Sequence, residues 1–247
     1  MTTTAPVRWL KRLDDLSRPV RSRLVCFPHA GGAAGAYQGW VRHLPPETEL
    51  LAVQYPGRQE RINEPTAASM DEMADTVSAA LAALPPLRTA VFGHSMGALV
   101  AYETSVRLQA RAPWAAPARV FVSAAAAPAP EGRAGLPALD DDSLVAYARR
   151  QGGADPEVYD IPELRELLLL SLRADFALLT AYRPAAQPRR LTAPLTALGG
   201  DEDRSCPPVS LATWAPYTTG PFTTRVFTGG HFYLQGREDT LTRLVTA

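Results

Sequence analysis

Thr89-Ala90-Val91-Phe92-Gly93-His94-Ser95-Met96-Gly97-Ala98-Leu99-Val100 decides the fold. Thr89 to Phe92 is a short apolar run of strand character, and it runs straight into glycine. Met96 to Ala110 then reads as a helix. Between them stands Gly93-His94-Ser95-Met96-Gly97, a G-x-S-x-G pattern. A serine on so tight a strand-to-helix turn has a strained backbone and an exposed hydroxyl. Glycines two residues to either side let neighbouring chain pass close by. The helix that follows aims its free N-terminal N–H groups at the serine, where negative charge would gather during acyl transfer.

Outward from this turn, strands and helices alternate, which argues for a mostly parallel sheet. Ser22 to Phe27, Glu49 to Gln54, Arg119 to Ala124, Pro194 to Leu198 and Thr223 to Phe227 are further short apolar runs. Such runs suit strands whose two faces are both covered by helices. Tyr37, Trp40, Val41 and Leu44 recur at helical spacing, as do Met70, Met73, Val77, Leu81 and Leu84. Ser69 with Glu72 predicts a capping box at the head of the second of these helices. From about Pro128 to Arg190 no strand pattern appears. Asp142 precedes one helical stretch, Leu144 to Arg149, and Pro162 to Tyr182 forms another. The latter contains Leu167-Leu168-Leu169-Leu170, apolar on more sides than a single core stripe requires. The expectation is one domain over residues 1–247: an α/β-hydrolase fold with a mostly parallel sheet flanked by helices. Residues 128–190 would form a helical lid insertion, by analogy with that fold.

A serine hydroxyl needs a base to become a nucleophile. The histidines are His29, His43, His94 and His231. His43 falls on an amphipathic helix and is expected at the surface. His94 lies inside the elbow, too near Ser95 in sequence to serve easily. His231 follows a strand end and the Gly229-Gly230 turn, matching the chain order serine, acid, histidine of this fold. The acid fixes the histidine tautomer and stabilises the imidazolium. Gly199-Gly200-Asp201-Glu202-Asp203 follows a strand and offers two aspartates. Asp203 is chosen because Gly200 to Asp203 fits a G-x-x-D turn; Asp201 is the alternative. Oxyanion donors are assigned to the backbone N–H groups of Ala30, in the loop Phe27-Pro28-His29-Ala30-Gly31-Gly32, and of Met96.

Composition excludes several other classes. The 247 residues suffice for a sizeable core. Hydrophobic residues make up 46% and charged residues 20%, the balance of a soluble globular enzyme. Basic and acidic residues number 25 each, so there is no global field for nucleic acid. Cys26 and Cys206 have no ligand-type spacing, so no metal is expected, though a disulfide between them stays open. Met1 to Asp15 lacks the apolar segment of a secretory signal, and no stretch approaches a membrane span. A cytoplasmic location is the expectation.

The combination of Phe27-Pro28-His29-Ala30-Gly31-Gly32, Tyr55-Pro56-Gly57-Arg58, Gly93-His94-Ser95-Met96-Gly97, Leu172-Arg173-Ala174-Asp175-Phe176 and Gly229-Gly230-His231-Phe232 resembles the type II thioesterases of polyketide and nonribosomal peptide synthesis over nearly the whole chain. The resemblance implies a stand-alone antibiotic-biosynthesis enzyme that edits. It would hydrolyse stalled or wrong acyl groups from the phosphopantetheine arm of an acyl carrier or peptidyl carrier protein, with no cofactor. It agrees with Asp203 as the acid. Carrier proteins are acidic, so Arg58 and Arg61 are expected to meet them near the lid. Rival readings are a carboxylester hydrolase or lipase with the same triad, and a silent binding protein on a hydrolase scaffold.

Overall fold

The computed structural model describes residues 8–15, 19–129, 140–153 and 156–247. Its centre is a seven-stranded sheet: β1 (Leu10–Arg12), β2 (Ser22–Phe27), β3 (Thr48–Val53), β4 (Arg88–His94), β5 (Arg119–Ser123), β6 (Leu195–Gly200) and β7 (Phe222–Phe227). The spatial order is β1-β3-β2-β4-β5-β6-β7. All pairs are parallel except β1 with β3.

Side chains alternate between two cores, as the pleat requires. Val25, Phe27, Leu51, Val53, Val91, Val120, Val122, Leu195 and Ala197 face one layer. There they meet Met70, Met73 and Val77 of α1 (Met70–Ala82) and Leu99 and Val100 of α2 (Met96–Arg111). Leu24, Cys26, Leu50, Ala52, Phe92, Phe121 and Leu198 face the other layer, against Tyr37 and Trp40 and against Leu241 and Val245 of the C-terminal helix Glu238–Thr246. Burial on both faces explains why the central strands read as continuous apolar runs. Both cysteines are buried, and neither forms a disulfide.

Four expectations need correction. β1 was not foreseen: three residues with Lys11 and Arg12 carry no apolar signature, and an antiparallel edge strand needs none. Ala34–His43 is a 3-10 helix rather than an α-helix. Its buried residues Ala34, Tyr37 and Trp40 are three apart, the period of a 3-10 face. The Ser69 cap forms, with Ser69 Oγ accepting from Glu72 N at 3.0 Å. The return bond, however, runs from Ala68 N to Glu72 Oε2 rather than from Ser69 N. Strand ends also differ by a residue or two from those expected.

Between β5 and β6 the described residues form α3 (Asp141–Gln151), a 3-10 turn (Pro156–Asp160) and α4 (Pro162–Ala181). The N-cap of α3 is Asp140, whose carboxylate accepts from Ser143 N at 2.9 Å, so the helix begins ahead of the Asp142 boundary read from the sequence. These helices share a small core of their own from Leu144, Val145, Tyr159, Leu169, Leu172 and Phe176. Leu164, Leu167 and Leu170 lie exposed on α4, with Ile161 exposed just before it, which accounts for its surplus of apolar residues. Parts of the expected 128–190 insertion, at 130–139 and 154–155, lie outside the described residues. No helix among the described residues is long and apolar enough to cross a membrane.

Candidate active site

The strand order reverses between β2 and β4, because β2 leads outward to β3 while β4 leads the other way to β5. In open α/β sheets a crevice opens beyond the carboxyl ends of the strands at such a reversal. The two loops leaving these strands are 28–33 and the elbow at Ser95.

The elbow is built as its sequence demands. Ser95 has φ 56° and ψ −118°, a strained conformation for a residue with a side chain. Its N–H donates to Ser123 O at 2.8 Å, which ties the turn to β5. A Cβ on Gly93 would lie 2.2 Å from the Gly97 carbonyl oxygen, and one on Gly97 would lie 2.1 Å from Phe27 O. Both positions therefore require glycine. Met96 opens α2, so its N–H has no carbonyl four residues back inside the helix.

Asp203 follows β6 and His231 follows β7. Their loops touch at Gly200, where an added Cβ would sit 2.2 Å from Gly229 O. Asp203 Oδ1 accepts from the backbone N–H groups of Ser205, at 2.9 Å, and Cys206, at 3.1 Å. That leaves Oδ2 for His231 Nδ1, 2.7 Å away. A carboxylate only accepts, so Nδ1 carries the proton and Nε2 of the neutral ring accepts. Ser95 Oγ is 2.9 Å from that Nε2. Asp203 and His231 are both buried. Asp201 takes another role: its Oδ1 accepts from Gly229 N at 2.8 Å, which braces the turn before His231.

The other histidines are bonded elsewhere or held neutral. His94 Nδ1 is 2.9 Å from Ser123 Oγ, which is 2.7 Å from Tyr233 Oη. Burial, reinforced by the charges His231 and His29 can carry, pushes the pKa of His94 well down. His29 is pushed down to about 3, first by burial and then by His231 and Arg58. Its ring meets Phe232 edge-on, centroids 4.7 Å apart. His43 sits at the end of the 3-10 helix, where Arg42 Nε donates to it at 2.9 Å.

Ser95 and His231 open into a cleft of about 130 Å³, lined largely by apolar groups. Ala30 and Gly31 form one wall; Tyr147 of α3, Tyr159, and Leu168, Leu172 and Phe176 of α4 form the other. The helices between β5 and β6 thus border the same space as the serine. Arg58 and Arg61 do not fit the expected contact with an acidic carrier, because both are buried and paired. Arg58 makes a two-pronged ion pair with Asp175, each bond 2.7 Å. Arg61 Nε donates to Glu64 Oε2 at 2.9 Å, and its guanidinium lies over the Trp9 ring at 4.8 Å. The role of Asp175 was missed, although its signal was present. Leu172, Asp175, Phe176 and Leu179 share one buried helical face, and a lone acid on an apolar stripe needs a partner. Among the described residues no cluster of three or more His, Cys, Asp or Glu side chains could hold a metal.

Known proteins resemble this chain over most of its length. The thioesterase domain family matches residues 22–247. Thioesterase PikA5 of Streptomyces venezuelae is 40% identical over 232 residues, covering 92% of this chain and 80% of PikA5. The probable cadicidin biosynthesis thioesterase of Streptomyces griseus is 37% identical, covering 95% of this chain and 64% of its own length, just under two thirds. The solved structure of the type II thioesterase BorB from the borrelidin biosynthetic cluster superposes with a TM-score of 0.85 at 35% identity. That alignment covers 99% of this chain and 98% of BorB.

Proposed function

The chain belongs to the thioesterase family, with the type II thioesterases of polyketide and nonribosomal peptide pathways, and from that premise we propose that it clears acyl groups from carrier-bound phosphopantetheine by a Ser95–His231–Asp203 relay. The observation that carries this reading is the continuous pair of contacts, 2.7 Å from acid to base and 2.9 Å from base to serine, at the floor of an apolar cleft.

Ser95 Oγ attacks the thioester carbonyl carbon while His231 Nε2 takes its proton. The carbonyl oxygen becomes an anion and is met by the N–H groups of Ala30 and Met96. Collapse breaks the carbon–sulfur bond, and the thiolate leaves with the proton from His231. Water then attacks the acyl-enzyme, giving up a proton to His231, and a second collapse frees the acid and restores Ser95. His29 and His94 stay neutral throughout, so neither competes as a base nor opposes the imidazolium that forms at His231.

The helices α3 and α4, within the expected insertion 128–190, serve as the lid over this reaction. The cleft is roughly ten times the space one water needs, which suits the short stalled acyl groups that an editing enzyme must clear. The partner is an acyl carrier or peptidyl carrier protein. The test presents one series of acyl groups on carrier protein, on a small thiol and as matched oxygen esters. Turnover should be highest on thioesters and should favour the carrier-bound form. Faster cleavage of the oxygen esters would identify a carboxylester hydrolase instead.

A further inference from the structure

The loop carrying Ala30 is held at almost every peptide group. Tyr37 Oη donates to Phe27 O at 2.8 Å and Tyr55 Oη to Pro28 O at 3.2 Å. Gly32 N donates to His29 O at 2.9 Å, and Ala34 N to Gln54 Oε1 at 3.0 Å. The remaining two anchors come from far away in sequence. Gly31 N donates to Asp175 Oδ2 at 2.7 Å, and Arg58 Nη1 donates to Gly32 O at 3.0 Å. Asp175 and Arg58 are themselves locked together, with Asp175 1% and Arg58 5% exposed. Ala30 N–H, by contrast, meets no acceptor among the described residues.

The geometry points to Asp175 and Arg58 as positioning residues that aim the Ala30 N–H at the reacting carbonyl. This rests on the assignment of Ala30 as an oxyanion donor. The linkage can be followed atom by atom. The peptide unit that carries Ala30 N–H also carries His29 C=O, and a trans peptide is planar with the two groups opposed. Gly32 N holds that carbonyl, so the direction of Ala30 N–H follows the placement of Gly32. Arg58 fixes Gly32 through its carbonyl, and Asp175 fixes Gly31 through its N–H. Gly31 sits at φ 76°, and a Cβ there would come within 2.8 Å of Leu172 Cδ2, so the turn lies hard against α4. A buried pair that grips one donor and one acceptor of a single turn sets its orientation more firmly than either bond alone. Phe176, next in sequence to Asp175, lines the acyl cleft. The helix that borders the substrate and the donor that meets its oxygen are therefore parts of one braced unit.

The test uses Asp175→Asn and Arg58→Lys in the full chain. A hexanoyl N-acetylcysteamine thioester serves as substrate, and a trifluoromethyl ketone of the same length mimics the oxyanion adduct. Loss of one aimed donor costs about 10²–10³ in kcat, so a misaimed donor should cost about 30-fold or more. Asp175→Asn should lower kcat by that factor with KM within about threefold, and weaken the ketone in parallel. Arg58→Lys can no longer hold Asp175 with two prongs while also holding Gly32 O, and should show the same pattern more mildly. The double variant should be no worse than Asp175→Asn by more than about threefold, because the two act as one unit. Melting temperature and circular dichroism report folding; if Asp175→Asn does not fold, Arg58→Lys decides. A kcat within threefold of wild type in the folded variants, or a change confined to KM, would overturn the proposal. Replacing Ala30 by lactic acid through nonsense suppression turns its peptide into an ester, which removes the N–H and weakens the His29 carbonyl as an acceptor. If that ester variant keeps its kcat, the donor assignment falls and this proposal falls with it. If the ester variant loses kcat while Asp175→Asn and Arg58→Lys keep theirs, only the anchoring is wrong.

Discussion

Replacing Asp203 by Asn removes a charge but leaves the shape intact, and the surroundings dictate how the amide must sit. The Ser205 and Cys206 N–H groups, at 2.9 and 3.1 Å, need an acceptor, so the amide oxygen must face them. The NH₂ group is then turned towards His231 Nδ1. Two donors cannot face each other, so His231 shifts its proton to Nε2. Nε2 then donates towards Ser95 Oγ and can no longer accept from it. Loss of the correct tautomer in a serine–histidine–acid relay costs about 10⁴ in kcat, equivalent to about 5 kcal/mol in the barrier. Asp201→Asn is the control: its oxygen can still accept from Gly229 N, so a net loss near 1 kcal/mol, or about fivefold, is the most expected. The assay follows thiol release from an acyl thioester at pH 7 for both variants, with burst kinetics to separate acylation from deacylation. An Asp203→Asn enzyme within tenfold of wild type, or an Asp201→Asn enzyme slower than Asp203→Asn, would refute the reasoning.

Ser95→Ala should remove nearly all thiol release while leaving the near-ultraviolet dichroism unchanged; near-normal turnover would end the serine mechanism. Gly97→Ala places a Cβ against Phe27 O and should destabilise by about 1–3 kcal/mol or more, read from urea unfolding; an unchanged midpoint would show that the elbow relaxes freely. Burial holds the folded pKa values of His29 and His94 below the ordinary 6.5, so their contribution to stability is whole above that pH and is lost as the pH falls, for His29 down to about 3 and for His94 well below 6.5. Each contributes at most about 1.4 kcal/mol per pH unit, so His94→Gln should flatten the fall in stability between pH 7 and 5, and equal slopes would count against a neutral buried His94.

Much of the fold was legible because the middles of its central strands follow one rule. A strand covered on both faces is apolar through its middle, and Leu24 to Phe27 and Val120 to Val122 announce themselves, while polar residues such as Arg23 and Glu49 sit near the strand ends. β1 gives no such signal, since an edge strand uses its backbone rather than its side chains. The elbow could be read because glycine is compulsory at both flanking positions for contacts that any such turn must make. Choosing Asp203 over Asp201 rested on a turn pattern; what separates the two in space is the pair of backbone donors at Ser205 and Cys206, which no spacing reveals. Arg58 and Arg61 were misjudged because arginine in a loop usually reaches water. Here the partner of Arg58 lies more than a hundred residues away, on a helix face whose apolar pattern hid the need for a countercharge.

Ser95, Asp203 and His231 come from loops after β4, β6 and β7, and β7 is the outermost strand on its side of the sheet. The proposed relay therefore closes only when that last strand has docked. A refolding chain can regain helix content, and even the elbow with its neighbouring strands, while remaining catalytically blank. Recovery of turnover then becomes a clock for completion of the sheet, running behind the optical signals of collapse.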